Sequence, residues 1–194
     1  MNPVTLAELW LPIVLSAIAA FFASFVAWAL LPHHKKDWQS TGAAEDDLLR
    51  TVKAAALRPG QYVFPHIHDP KDKQACEKMK DSGMGALTVF DGPPNMGRNM
   101  ALSVVANILI CTLVAYVASI ALPRGARYLD VFQLVGAAAL LGYWTGGIHH
   151  GIWFGRPVRN FLTDFADAIA YTLLTAGIFG WLWPDAQGAL PVVP

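Results

Sequence analysis

Apolar positions along the chain gather into four long runs, at residues 9–31, 100–122, 131–154 and 165–183. The first carries no charged side chain, and the last is broken only by Asp167. Crossing the hydrocarbon core takes ~20 apolar residues. Without water, the backbone of such a run must satisfy its own hydrogen bonds, so each is expected to be a membrane-spanning helix. Pro32 and Pro123 close the first two runs. Asp130 is an expected N-cap for the third, and Thr163 or Asp164 for the fourth. Trp183, just before Pro184, is expected to anchor the fourth run at the interface, and the tail ending at Pro194 is expected to be loose.

The polar stretch between the first two runs has its own pattern. Leu48, Leu49, Val52 and Ala56 share one side of an amphipathic helix expected over residues 45–57, stopped by Arg58-Pro59-Gly60. Strands are expected at 62–64 and 85–90. Between them a charged helix runs over 69–81, with Asp69 as N-cap and Pro70 as its first residue. The fold class implied is an all-α membrane protein of four transmembrane helices with a small α/β insert. Residues 1–32 hold helix 1, 33–99 the extramembrane insert, and 100–194 helices 2–4 and a short tail. An insert this small has little core of its own and is expected to pack on the span ends or on a partner.

Composition and charge refine this picture. Charged residues are 14 % and hydrophobic ones 55 %, where soluble domains carry roughly 25 % charged residues. The formal net charge is zero, so no global field draws nucleic acid to the chain. Twelve of the fourteen Lys and Arg lie in residues 35–98 or between spans three and four, against Arg124 and Arg127 on the other side. The positive-inside rule then places the insert in the cytoplasm and both termini outside. Cys76 falls in the insert and Cys111 in the second span, which does not support a disulfide framework.

Small residues recur every four positions: Ser16, Ala20 and Ser24 in span one, Gly147, Gly151 and Gly155 in span three, with Gly142 and Gly146 as a further pair. Such stripes let helix backbones approach closely in lipid. They serve either contacts inside the bundle or a docking face for another membrane subunit.

All six histidines lie on the expected cytoplasmic side. His149 and His150 are candidate axial ligands of a haem, although neighbours on one helix point ~100° apart and cannot both serve one ligand. His66 and His68 could share a strand face as metal ligands, and His33 and His34 are further candidates. Beside Lys35 and Lys36, His33 and His34 also read as a basic interfacial cluster touching lipid headgroups. Asp167 is the ionisable group inside a span, either a carboxylate near the headgroups or one half of a pair with Arg159 or a histidine. No phosphate-binding loop, dinucleotide fingerprint, metalloprotease helix, Cys-x-x-Cys pair or nucleophile elbow is present. So little mid-membrane charge also disfavours a transporter with a polar central site.

The segments Leu31-Pro-His-His-Lys-Lys-Asp-Trp38, Pro59-Gly-Gln-Tyr-Val-Phe-Pro65, Pro94-Asn-Met-Gly-Arg-Asn99, Gly151-Ile-Trp-Phe-Gly-Arg-Pro157 and Thr175-Ala-Gly-Ile-Phe-Gly-Trp-Leu-Trp-Pro184 touch all four spans and the insert. In combination they resemble a family of small bacterial integral membrane proteins without an assigned activity. The resemblance implies a bacterial inner-membrane location and transfers no site roles. The expectation is a non-enzymatic accessory or stabilising subunit of a larger membrane complex, respiratory or photosynthetic. Its partners would be lipids and other membrane subunits, not nucleic acid, and it would have no cofactor. The alternative is a membrane protein that binds haem or a transition metal through histidines.

Overall fold

A computed structural model describes residues 4–67, 69 and 71–186. In chain order it contains α1 (Trp10–Phe25), α2 (Glu45–Ala54), β1 (Gly60–Phe64), α3 (Lys73–Ser82), β2 (Gly85–Val89), α4 (Met96–Ala121), α5 (Tyr128–Trp144), α6 (Ile148–Trp153) and α7 (Val158–Trp181). Four helical segments are long and apolar enough to cross a membrane: Trp10–Leu30, Met96–Ala121, Tyr128–Trp153 and Val158–Trp181. The chain is therefore a multi-pass membrane protein, mostly helical, with one two-stranded sheet among the described residues. It divides into two compact units, Gln39–Met96 and the described residues on either side of that segment.

In the span unit, α7 packs against both α5 and α1. Small buried residues make this close approach possible: Ser16, Ala17 and Ala20 on α1, Ala139 on α5, Ala168 and Ala176 on α7. Leu9, Val131, Val135 and Phe179 fill the remaining space. Cys111, Val114, Ala115 and Ala118 carry α4 into the same core. At one end Trp183 Nε1 donates to the Pro123 carbonyl at 2.9 Å, the Gly125 amide donates to the Pro184 carbonyl at 2.9 Å, and Arg124 pairs with Glu8. The Arg124 guanidinium and the Thr5 hydrogen bonds hold the Glu8 carboxyl down to about 2. The residues following α1 and the start of α7 meet at the opposite end.

Several element ends differ from the sequence expectation, each for a physical reason. Span three is not one continuous helix: α5 passes into a 3₁₀ turn, Thr145–Gly147, and α6 resumes from it. Two adjacent glycines weaken the α-helical preference there. Span four begins at Val158, so Thr163 and Asp164 lie inside α7 and cannot cap it; Pro157 occupies the N-cap position. Asp130 likewise sits in the first turn of α5 behind an Arg127 N-cap, where it forms a two-bond pair with Arg127. Trp183 is buried as a clasp between chain segments, while Trp181 carries the outward aromatic surface at that end. Pro194 and the tail from residue 187 lie outside the described residues.

The insert unit pairs β1 and β2 antiparallel, with Tyr62 opposite Leu87 and Phe64 opposite Gly85. Gly85 is needed here because a Cβ would fall 2.4 Å from the Phe64 ring. The helix expected over 45–57 ends at Ala54, and Ala56 takes a left-handed conformation (φ 49°) that turns the chain away. Asp69 does accept a turn bond from the Lys71 amide at 2.8 Å, but α3 starts only at Lys73. Pro70 lies outside the described residues. Among the described residues of this unit no hydrophobic side chain is buried, in line with its small size.

Candidate metal centre

The last turn of α1 is widened into a π-helical turn, Val26–Leu30, and the chain then breaks at Pro32 into a 3₁₀ turn, His33–Lys36. In a 3₁₀ helix, residues i and i+3 eclipse one another. That geometry stacks His34 over Asp37 and brings His34 Nδ1 to 2.7 Å from Asp37 Oδ2. Trp28, carried by the π turn, lies flat on the His34 ring at 3.8 Å and 8°.

Helix α7 supplies the facing surface. Asn160, Thr163, Asp167 and Tyr171 follow one another at spacings of three and four residues, which puts them on one stripe of the helix. Asp167 is buried, and its two oxygens are divided between neighbours. His33 Nε2 lies 2.9 Å from Oδ1, and His34 Nε2 lies 2.9 Å from Oδ2. Tyr171 donates its hydroxyl to Oδ2 at 3.1 Å.

Asp37 is fixed just as closely. Thr163 donates to its Oδ2 at 2.8 Å, and the Asn160 amide donates to its carbonyl at 3.3 Å. Arg159 Nε stands 3.1 Å from Oδ1 as an ion pair without hydrogen-bond alignment, and the same guanidinium donates to the His33 carbonyl at 2.5 Å.

Both ring nitrogens of His34 face carboxyl oxygens, an arrangement that favours the doubly protonated imidazole. Burial works hardest against that charge, yet the bonds and fields of Asp167 and Asp37 together raise the His34 pKa above its ordinary value. For Asp37, burial alone would raise the carboxyl pKa. The His34 and Thr163 hydrogen bonds, with the charges of His34 and Arg159, reverse this and lower it.

The donor set His33, His34 and Asp167 places one ligand atom from each residue within 4.8 Å of the other two. Tetrahedral ligand bonds of about 2.1 Å put donor atoms ~3.4 Å apart. Each histidine stands at 2.9 Å from an Asp167 oxygen, so the cluster would open by about 0.5 Å to admit an ion. Two imidazoles and a carboxylate suit a first-row divalent transition metal and leave coordination positions open. The outer contacts also fit: a ligating histidine usually donates its second N–H to a carboxylate. Asp37 serves His34 in that way, Arg159 and Thr163 hold Asp37, and Tyr171 holds Asp167.

A cleft of about 660 Å³ opens from this cluster between α1 and α7. His33, Arg159, Thr163, Asp167 and Tyr171 are its polar lining. Ala23, Val26, Ala27 and Leu31 form one apolar wall, and Leu162, Ala166 and Ala170 the other.

The other expected site residues are placed differently. Asp167 pairs with His33 and His34, whereas Arg159 turns to Asp37. His34 is buried, so it does not contact headgroups as part of a surface basic cluster. His149 and His150 are exposed on α6, with the His150 ring 4.5 Å from Phe154. The described residues bring no second ligating side chain to either of them. His66 is exposed in the insert unit, and His68 lies outside the described residues.

Of the small-residue stripes, Ser16 and Ala20 are buried in the bundle, while Ser24 is half-buried and donates to the Phe21 carbonyl at 2.7 Å. A Cβ on Gly142 would press on Ile110 of α4, and one on Gly151 on the Phe161 ring of α7. Gly146 and Gly147 meet no atom within 4 Å, and Gly155 lies past α6 in a left-handed turn (φ 67°). The glycines of span three therefore do not form one continuous docking stripe.

No family model, curated protein or solved structure matches this chain.

Proposed function

We propose that this multi-pass membrane protein binds a divalent transition metal through His33, His34 and Asp167. The observation that carries the reading is the arrangement around His34: one ring nitrogen faces the buried Asp167 carboxylate, while the other is held by Asp37 at 2.7 Å. A second N–H held by a carboxylate is the usual outer contact of a metal-ligating histidine, which supports this reading. Binding replaces the proton between His34 and Asp167 with the metal, and metal affinity follows pH accordingly. By the positive-inside rule, the metal end, with Lys35, Lys36, Arg156 and Arg159, faces the cytoplasm. On that reading, both termini lie outside.

The test is metal content. Protein purified in mild detergent, stripped with chelator and reloaded with Zn²⁺ or Mn²⁺, should retain about one ion per chain after desalting. His34→Ala and Asp167→Ala should retain none. Because His34 is buried, the half-exposed His33→Gln serves as a milder variant whose folding is checked by circular dichroism. Wild-type protein that retains no ion, with an affinity matching the variants, would overturn the reading.

A second reading, a non-enzymatic accessory subunit of a larger membrane complex, draws on Gly146 and Gly147, which leave open space for a neighbouring helix. It requires a stoichiometric membrane partner that co-purifies with wild type and is lost with Gly147→Leu.

A further inference from the structure

We infer that Trp28 is a positioning residue of the metal centre, whose indole holds the His34 imidazole in its ligating plane. The inference rests on the metal reading and adds to it a residue that offers the ion no ligand atom.

Backbone and ring geometry are the first argument. The Leu31 amide donates to the Val26 carbonyl at 3.0 Å, the widened bond of a π turn. Such turns are rare and are found frequently at functional sites. The extra residue re-aims the side chains of the turn, and Trp28 comes to lie on the His34 ring. The two rings are 8° from parallel with centroids 3.8 Å apart, closer than the ~4.5–7 Å of most aromatic pairs. His34 keeps 5 % of its surface exposed and Trp28 52 %. The indole thus takes the outer position and the imidazole the covered one.

What an ion would displace is the second argument. Without it, His34 is held by Asp37 at Nδ1, by Asp167 at Nε2 and by Trp28 on its face. An ion that takes the place of the proton between His34 and Asp167 removes the second of these holds. The bond to Asp37 then fixes the direction of the ring but not its tilt, and the flat indole fixes the tilt. The indole face also attracts positive charge on the imidazole. Both the protonated and the metal-bound ring carry such charge, so that attraction largely cancels in the exchange. Orientation is what remains, and a ligand held in place beforehand gives up less freedom on binding.

The probe is Co²⁺, whose visible absorption reports ligand geometry, titrated into detergent-solubilised, chelator-stripped protein. Trp28→Leu keeps an apolar side chain but loses the flat face, whereas Trp28→Phe keeps a flat face. Co²⁺ binding should weaken about tenfold in Trp28→Leu, with an altered spectrum at saturation, and stay within about threefold of wild type in Trp28→Phe. The spectrum separates positioning from simple destabilisation, because a less stable fold with an intact centre binds Co²⁺ with the wild-type spectrum. Wild-type affinity in Trp28→Leu would overturn the inference. So would a weakening that leaves the spectrum unchanged, or one that Trp28→Phe shares in full, since the flat face would then not be the cause. Saturable Co²⁺ binding that is equal in wild type and Trp28→Leu removes Trp28 and leaves the metal site standing, whereas no saturable binding by wild type removes both.

Discussion

Asp37 is the most informative residue to change, because it is not itself one of the three proposed ligands yet holds His34, the one buried histidine among the described residues. Its Oδ2 receives both the His34 Nδ1 proton at 2.7 Å and the Thr163 hydroxyl at 2.8 Å. Asp37→Asn keeps the shape and one acceptor oxygen but removes the charge that faces His34 and Arg159. Asp37→Ala removes the acceptor as well, leaving the His34 ring without its holder on that side. Loss of such an outer partner lowers metal affinity 10–100-fold in comparable centres, about 1.4–2.7 kcal/mol. The Asn variant is expected near the lower figure and the Ala variant near the upper one. The assay is a competition titration of Zn²⁺ against a fluorescent chelator in detergent. Circular dichroism should confirm that the helical content is unchanged. If Asp37→Ala binds Zn²⁺ within about twofold of wild type while His34→Ala does not bind, Asp37 does not orient the ligand and the reasoning fails.

Three further outcomes follow from the bundle. Gly151→Leu drives a side chain into the Phe161 ring and should destabilise the protein by about 1–3 kcal/mol, whereas Gly147→Leu meets open space and should leave its thermal midpoint unchanged. Equal midpoints for both variants would contradict the packing. Glu8, held down to about 2 from 4.5 by Arg124 and Thr5, contributes stability that is fully present above pH 4.5 and lost as pH falls through 2. The difference in midpoint between wild type and Glu8→Gln should therefore be largest near neutral pH and vanish near pH 2; a difference that grows on acidification would reverse the sign. Trp183→Phe removes the bond to the Pro123 carbonyl and should lower stability by about 1 kcal/mol, measured by thermal unfolding in detergent.

The spans were legible in the sequence because a bilayer leaves the backbone only one economical solution, and long apolar runs report it directly. Their ends were less legible. The first two turns of α7 carry Arg159, Asn160 and Asp164, so hydropathy places the span start too late. The 3₁₀ turn at Thr145–Gly147 hides inside an apolar run that looks uniform.

The cluster was half visible. Asp167 stands out as a charge within a span, and His33 and His34 as neighbouring imidazoles. Asp37 carried a signal that went unread: the His-x-x-Asp spacing suits a 3₁₀ turn, which a break at Pro32 encourages. The stripe Asn160, Thr163, Asp167 and Tyr171 was also readable as polar positions at helical spacing. The meeting of His34 with Asp167, 133 residues apart, is a matter of how α1 and α7 pack, which no local pattern records. For the same reason, His149 and His150 looked as promising as His33 and His34. The packing exposes one pair and draws the other onto Asp167.

The most direct measurement is X-ray absorption at the edge of Zn²⁺ bound to the wild-type protein. Two imidazoles together with oxygen ligands at about 2.0–2.2 Å are expected, with the imidazole signal reduced to one ring in His33→Gln. A first shell of oxygen alone, or one containing sulfur, would contradict the assignment of the centre to His33, His34 and Asp167.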